Sequence, residues 1–187
     1  MFYKALAGEA GIGALALRFA ILTAARTGEV IGARWSEIDL DNKVWEIPSE
    51  RMKMGKAHKI PLSEPAREIL ALLRKLPPSD FVFAANPRRS VSNMIMLMQL
   101  RRMGHHHVSV HGFRSTFSDW VAEKTAFPSE VREMALAHKI SNAVEAAYRR
   151  GDLFEKRREL MRVWAAYCTG PAPAGELVSL ADARNLA

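Results

Sequence analysis

The stretch Ile12-Gly-Ala-Leu-Ala-Leu-Arg-Phe-Ala-Ile-Leu-Thr-Ala-Ala25 decides how the rest of this chain must be arranged. It is rich in helix-forming residues and apolar on nearly all sides, with Arg18 as its one charged residue. A helix that is apolar all round must be covered by other elements. The stretch therefore predicts a buried helix over residues 12–25, followed after Arg26 by a short helical segment from about Thr27 to Ala33.

The pattern then changes to that of a β-hairpin. Residues 43–47, Lys-Val-Trp-Glu-Ile, alternate between polar and apolar, and residues 57–62, Ala-His-Lys-Ile-Pro-Leu, do so more loosely. Alternation of this kind is typical of strands with one buried face. The polar stretch Pro48–Lys56 lies between them and contains Gly55, so the sequence predicts a hairpin with a basic tip.

Helical patterns return after the hairpin. Ser63-Glu64 predicts a helix start, apolar residues recur at helical spacing from Ala66 to Leu76, and Pro77-Pro78 ends the helix. Phe81-Val-Phe83 predicts a short strand or a buried loop. Further helices are predicted at residues 90–103, 112–125, 129–138, 142–149 and 153–167. The sum is an α+β fold, mainly α-helical with a small antiparallel β-sheet.

The 187 residues suit one domain with an appendage. We expect the domain to occupy residues 1–168. After it the composition shifts to Thr169-Gly-Pro-Ala-Pro-Ala-Gly175, which is typical of a flexible linker. The final residues, Glu-Leu-Val-Ser-Leu-Ala-Asp-Ala-Arg-Asn-Leu-Ala, predict a short amphipathic helix, so residues 169–187 form a linker and a C-terminal helix.

Charge and cysteine content narrow the partners and the compartment. The formal net charge is +7 and the isoelectric point is near 9.9, which favours a polyanion such as nucleic acid as the partner. The single cysteine, Cys168, excludes an internal disulfide and is interpreted as a small buried residue. No uncharged run reaches 18 residues, so we expect a soluble, cytoplasmic protein with no membrane partner.

His111 and Arg114 are the first residues whose spacing suggests chemistry. Three residues apart on a helix, an imidazole and a guanidinium share one face and lie about 5–6 Å apart. Such a pair can hold a phosphate and move a proton beside it. Taken alone, the spacing occurs often by chance and is more typical of a solvated surface.

Two further cations have similarly ambiguous settings. Arg26 directly follows the long apolar run, with Glu29 three residues later as a possible orienting partner. The alternative is an ordinary ion pair at a helix end. Lys53 lies in the predicted hairpin tip, where a cluster of cations is usually solvated or contacts phosphates in general.

Tyr148 has the setting that a phenolate nucleophile needs. It is preceded by two alanines, followed by Arg149-Arg150, and stands ten residues after His138. The two arginines favour phenolate over phenol. Of the other tyrosines, Tyr3 lies near a terminus and Tyr167 falls in an apolar helix, where a core position is predicted.

In this order, these segments resemble the catalytic domain of the tyrosine recombinases, most closely the phage and prophage integrases. The resemblance runs from about Ile12 to Cys168 and is carried by four boxes: residues 25–39 (ARTGEVIGARWSEID), residues 51–63 (RMKMGKAHKIPLS), residues 110–117 (VHGFRSTF), and Leu136-Ala-His138 followed by Tyr148. Any one box is unremarkable, but four in the correct order and spacing are specific.

The resemblance implies a tyrosine recombinase catalytic-domain fold and a cut-and-rejoin reaction on double-stranded DNA through a 3′-phosphotyrosyl intermediate. It implies no cofactor, no metal and no ATP, and a homotetramer on DNA that is a monomer in isolation. The catalytic residues it points to are Arg26, Lys53, His111, Arg114, His138 and Tyr148. Because the first box begins about 25 residues from Met1, the family's preceding DNA-binding domain is expected to be absent.

Two positions depart from the family pattern. Ala137 stands where the family usually has glycine, and Met54 stands where threonine is common. The second departure leaves Lys56 as an alternative to Lys53, although Lys53 matches the position better. His105-His-His107 points in different directions on either a helix or a strand and poorly suits one metal ion.

Three other interpretations remain open. A type IB topoisomerase looks similar at the catalytic residues but relaxes supercoils. A non-catalytic basic DNA-binding module could place helix 112–125 in the major groove. A basic helical protein with ordinary surface arginines is the third. The tryptophans are expected to pack in the core or on the hairpin: Trp35, Trp45, Trp120 and Trp164.

Overall fold

The computed structural model describes residues 2–138 and 151–171 of the chain. Its helices are α1 (Phe2–Ala7), α2 (Ile12–Thr23), α3 (Thr27–Ile31), α4 (Glu64–Leu73), α5 (Ile95–Arg102), α6 (Gly112–Lys124), α7 (Ser129–Ala135) and α8 (Phe154–Thr169). Its strands are β1 (Ile38–Asp39), β2 (Val44–Ile47), β3 (His58–Pro61), β4 (Ala84–Asn86) and β5 (Arg89–Ser90). Within these residues no helix is both long and apolar enough to cross a membrane.

The predicted hairpin is confirmed as the centre of a small antiparallel sheet. Strands β1, β2 and β3 pair in that order, and Trp45 stands opposite Ile60 in the register of β2 and β3. The short strand β1 was not expected from the sequence. A separate two-stranded ribbon is formed by β4 and β5. The prediction of a mainly helical α+β fold is confirmed.

Helix α2 is the centre of the core, as its composition predicts. It packs against α1, α3, α4, α5 and α8. Phe19 is fully buried, and its ring lies 5.4 Å from that of Trp45 and 5.5 Å from that of Phe83. Burying each such side chain contributes about 1.5–3 kcal/mol. The sheet and the helices are therefore joined through one apolar core.

Two helices end on alanines in the left-handed conformation, and each ending sets the direction of the next segment of chain. Helix α2 ends at Thr23 because Ala24 has φ 49°, two residues earlier than its composition predicts. Helix α7 ends in a Schellman motif: Ala137 has φ 47°, its N–H donates to the Met134 carbonyl at 3.2 Å, and the His138 N–H donates to the Glu133 carbonyl at 3.0 Å. Glycine is the residue best suited to this conformation, which explains why Ala137 is a departure.

Some sequence predictions are corrected in detail. The predicted helix at 90–103 begins only at Ile95, because the chain first pairs as β5 and then turns. Tyr167 was expected in the core, but it is 55% exposed because it lies at the edge of the core, where its ring packs on those of Trp120 and Trp164 at 5.2 and 5.7 Å between centroids. The predicted helix at 142–149 and the C-terminal segment 172–187 lie outside the described residues.

The tryptophans pack as expected. Trp45, Trp120 and Trp164 are buried, and the Trp164 indole N–H donates to the Ile21 carbonyl at 2.8 Å. Trp35 is partly exposed on the hairpin side, where the Arg74 guanidinium lies 4.3 Å above its ring. These contacts attach α8 to α2 and the loop after α3 to α4.

Candidate active site

Arg26 has an extended backbone and directly precedes α3. The Glu29 carboxylate fixes both its side chain and its backbone N–H. The Glu29 Oε1 accepts a hydrogen bond from the Arg26 Nη1 at 2.7 Å, and the Oε2 accepts one from the Arg26 backbone N–H at 2.7 Å. The Glu29 side chain is 6% exposed and that of Arg26 is 25% exposed. The orienting partner predicted from the spacing is confirmed, and the outer side of the guanidinium is left accessible.

Arg114 is buried in the first turn of α6 and is held by main-chain carbonyls. Its Nη2 donates to the Leu136 carbonyl at 2.8 Å and its Nη1 donates to the Ala24 carbonyl. These oxygens lie at the C-terminal ends of α7 and α2, where the helix dipoles are negative. Two helix ends thus stabilise a cation that is only 6% exposed.

Within the part of the chain that the structure describes, no carboxylate forms an ion pair with Arg114, although the nearby charge of Glu29 acts to raise its pKa. Burial lowers the pKa of Arg114 to about 10, and the positive charge of Arg26 acts in the same direction. The guanidinium nevertheless stays protonated at neutral pH, since its pKa remains well above 7.

The two arginines converge on a single oxygen. The Arg26 Nη2 lies 3.5 Å from the Leu136 carbonyl that also binds Arg114. Two guanidinium groups this close repel each other, so a bound anion between them would be favoured over an empty site. Planar guanidinium groups with several N–H donors suit the non-bridging oxygens of a phosphate.

His138 lies beside this pair because of the α7 ending. It follows the residue that turns the chain at Ala137, two positions after the shared Leu136 carbonyl. Its Nδ1 lies 2.7 Å from the Glu133 Oε2. Burial alone would raise the pKa of Glu133, but the hydrogen bonds from His138 and Arg132 lower it. An ionised carboxylate at Nδ1 fixes that proton and orients the ring, which leaves Nε2 as the atom for a ligand.

The hairpin tip that carries Lys53 is anchored next to Arg26. Arg51 donates through Nη2 to the Glu29 carbonyl at 2.7 Å and through Nη1 to the Glu37 carboxylate. Glu37 also accepts the Trp45 indole N–H at 3.0 Å. The base of the tip is therefore fixed, whereas Lys53 itself is exposed.

His111 immediately precedes α6, and its carbonyl accepts the Arg114 N–H at 3.0 Å. Its side chain is exposed, one turn before the buried guanidinium. The backbone of the two residues is thus joined by one turn, while the predicted proximity of their side chains stays a prediction. Which of Lys53 and Lys56 acts stays a prediction, since both are exposed in the same tip.

The structure thus brings Arg26 and Arg114 together between the ends of α2 and α7, and places His138 two residues after the carbonyl that they share. Tyr148 lies outside the described residues. Among residues 2–138 and 151–171, no group of three or more His, Cys, Asp or Glu side chains is placed to hold a metal ion. His105 instead makes an edge contact with the Phe2 ring, at 5.0 Å between centroids.

Sequence reasoning missed two groups near this site, one partly buried and one fully buried. His58 on β3 is partly buried and hydrogen-bonds to the Ala135 backbone. Arg157 on α8 is 2% exposed. The second carried a signal: Arg157 shares the apolar stripe of Leu160, Met161 and Trp164 at helical spacing, and a charge on such a stripe requires buried partners.

Comparison with known proteins identifies relatives that match most of the chain. The model of the phage integrase family matches residues 9–153. Prophage integrase IntA of Escherichia coli (strain K12) is 40% identical over 149 residues, which cover 78% of this chain and 36% of the relative. The integrase of Shigella phage Sf6 is 32% identical over 171 residues, 88% of this chain and 44% of the relative. The chain therefore spans less than half the length of these relatives. No solved structure gives a significant match.

Proposed function

We propose, from the premise that this chain belongs to the phage integrase family, that it cuts and rejoins double-stranded DNA as the catalytic part of a site-specific recombinase. The observation that carries the proposal is the convergence of Arg26 and Arg114 on the Leu136 carbonyl. A buried guanidinium held by carbonyl oxygens retains its full charge for an anionic ligand. The phosphodiester of DNA is such a ligand.

Tyr148 is the proposed nucleophile. Its Oη forms a bond to the phosphorus while the bond from phosphorus to the 5′ oxygen of the next nucleotide breaks. The product is a 3′-phosphotyrosyl link and a free 5′ hydroxyl. The number of phosphoester bonds is unchanged, so the reverse attack rejoins the strand without ATP.

Arg26 and Arg114 stabilise the negative charge that builds on the two non-bridging oxygens. Their positions are fixed before the DNA binds, by the Glu29 carboxylate in one case and by two helix ends in the other. Preorganised donors of this kind contribute about 3–4 kcal/mol, or 10²–10³ in rate, for each one removed.

The remaining proposed residues move protons. Lys53 gives a proton to the leaving 5′ oxygen, and the anchoring of its loop beside Glu29 by Arg51 supports that role. His111 assists removal of the proton from the tyrosine. His138 donates from Nε2 to a phosphoryl oxygen, which its fixed Nδ1 contact with Glu133 supports. The reaction needs neither a metal ion nor another cofactor in this proposal.

The assembly is also a proposal. Recombination of two duplexes requires four protomers, so we propose a homotetramer on DNA and a monomer in its absence. We also propose that residues 1–168 form the catalytic domain, with the remaining residues as an appendage to it.

Covalent capture on DNA tests the proposed chemistry. The chain is incubated with a pool of nicked suicide duplexes of randomised sequence, from which a cleaved strand cannot be religated. Adducts that resist SDS are isolated and sequenced, and the modified peptide is identified by mass spectrometry. Wild type and Tyr167→Phe, which changes an exposed tyrosine, should form the adduct, and Tyr148→Phe should not.

The outcomes separate the alternatives. An adduct in Tyr148→Phe, or none with wild type on any duplex, refutes the mechanism. Supercoil relaxation without sequence preference would favour a type IB topoisomerase. Sequence-selective binding without any adduct would favour a non-catalytic DNA-binding module.

A further inference from the structure

Arg157 is the most deeply buried cation, among the described residues, that the proposed chemistry does not use. Its residue is 2% exposed, in the first turns of α8. Its Nε donates to the Asp152 carbonyl at 2.8 Å, its Nη2 to the Asp152 Oδ2 at 2.8 Å, and its Nη1 to the Lys59 carbonyl at 2.5 Å. Three of its donors therefore bind two segments that are distant in sequence.

Asp152 is fixed by more than this one side chain. Its Oδ1 accepts the Phe154 backbone N–H at 3.1 Å, and Leu153 between them has φ 51°. The Arg157 N–H donates to the Leu153 carbonyl at 2.9 Å, which closes the first turn of α8. Asp152 is thus bound through its main-chain carbonyl and through both carboxylate oxygens.

The other end of the contact lies on the sheet. Lys59 is the second residue of β3, the strand that leaves the hairpin tip carrying Lys53. Strand β3 is paired with β2 along its whole length. Arg157 therefore fastens the chain at Asp152 to the rigid part of the hairpin.

The position of Asp152 in the sequence gives this contact its meaning. Tyr148 precedes it by four residues, and four residues span at most about 14 Å. On the other side, Tyr148 follows the described His138 by ten residues, a tether more than twice as long. The shorter tether therefore sets the greatest distance that can separate Tyr148 from Asp152.

We propose that Arg157 is a positioning residue that holds the Tyr148 segment within reach of the phosphate site by strapping Asp152 to strand β3. The strap, defined as Arg157, Asp152 and Lys59, raises the effective concentration of the phenol at the two arginines. This inference rests on the proposed function for the identity of the nucleophile. Its geometric part, the restriction of residue 148, is independent of catalysis.

The first test measures single-turnover adduct formation against protein concentration on a captured suicide duplex. Asp152→Ala removes both carboxylate contacts, and Glu155→Ala is the matched control, since it removes an exposed carboxylate three residues further on that pairs only with Arg158 in the described part of the chain. We expect Asp152→Ala to lower the maximal rate by about tenfold or more, with the half-saturating protein concentration unchanged. Glu155→Ala should match wild type, and Asp152→Asn, which keeps an oxygen acceptor, should be intermediate.

The second test needs no catalysis. Nitroxide labels are placed at Tyr148→Cys and at Glu46→Cys on β2, in a Cys168→Ser background, and the distribution of distances between them is measured by pulsed electron paramagnetic resonance. We expect the distribution to broaden by about twofold in Asp152→Ala and to stay unchanged in Glu155→Ala. Thermal unfolding of each variant shows which of them is folded, and Asp152→Asn replaces Asp152→Ala if the latter unfolds.

The two tests separate the two claims. Equal distance distributions in all variants, or equal maximal rates for Asp152→Ala and Glu155→Ala, would overturn the strap. If wild type forms no adduct but the distribution still broadens in Asp152→Ala, the strap stands and the proposed recombinase chemistry fails.

Discussion

Replacing His58 with glutamine should make the folded state less sensitive to mild acid. The imidazole lies on β3 among buried groups, and burial lowers the pKa of His58 from 6.5 to about 4. The nearby charge of Arg157 acts in the same direction, while Glu29 and a hydrogen bond with the Ala135 backbone oppose it. The folded protein therefore keeps this ring neutral at a pH where the unfolded chain protonates it.

The size of the effect derives from that difference in pKa. Above pH 6.5 the imidazole is neutral in both the folded and the unfolded state, so it does not reduce the free energy of unfolding. As the pH falls from 6.5 towards 4, only the unfolded state gains a proton, and the free energy of unfolding decreases. The slope in this range is about 1.4 kcal/mol per pH unit. Between pH 7 and pH 5 the free energy of unfolding should fall by about 2 kcal/mol on account of His58 alone.

Urea unfolding at pH 7 and pH 5 measures this loss. Other groups also titrate in this pH range, but their contributions to the free energy of unfolding cancel in the difference between wild type and His58→Gln. That difference should be about 2 kcal/mol smaller at pH 5 than at pH 7. His107→Gln removes an exposed imidazole and is the matched control, expected to behave as wild type. Parallel curves for wild type and His58→Gln would refute the assignment of a buried neutral imidazole.

Three further substitutions test the packing around the site. Ala137→Gly should raise the free energy of unfolding by roughly 0.5–1 kcal/mol, because glycine adopts φ 47° without strain; an unchanged thermal midpoint would contradict this. Arg51→Ala should lower it by about 3 kcal/mol by leaving the Glu37 carboxylate buried without its cation, and the double variant with Glu37→Gln should recover part of the loss in urea. Trp164→Phe should cost about 1–3 kcal/mol, since the Ile21 carbonyl loses its indole donor and the core loses volume; a loss below about 0.5 kcal/mol in the same assay would speak against that contact.

Local patterns were sufficient for those parts of the structure that depend on neighbours in sequence. The all-round apolar character of residues 12–25 predicted the central helix, and alternation predicted the hairpin of β2 and β3. The pairing of Arg26 with Glu29 was predicted from a spacing of three residues. Each of these depends on periodicity or on one helical turn, which the sequence displays directly.

Contacts between distant segments could not be predicted in this way. The carbonyls that hold Arg114 lie 90 and 22 residues away, and no side-chain pattern marks a carbonyl as an acceptor. Tyr167 was wrongly predicted to be buried because the pattern of an apolar helix indicates which residues contact the core, as Tyr167 does through Trp120 and Trp164, but not whether a further element covers their outer side. The early end of α2 at Thr23 was missed because alanine normally continues a helix.

The acceptors around Arg114 have a consequence for genetics. Both are main-chain oxygens, so the hydrogen bonds of the guanidinium do not depend on which side chains stand at positions 24 and 136. Substitutions at these positions should leave Arg114 in place as long as the chain still turns at the ends of α2 and α7. In a random mutagenesis screen, loss-of-function alleles near the site should therefore include substitutions that spoil a chain reversal, such as proline at 137, although the altered side chain contacts no reacting group.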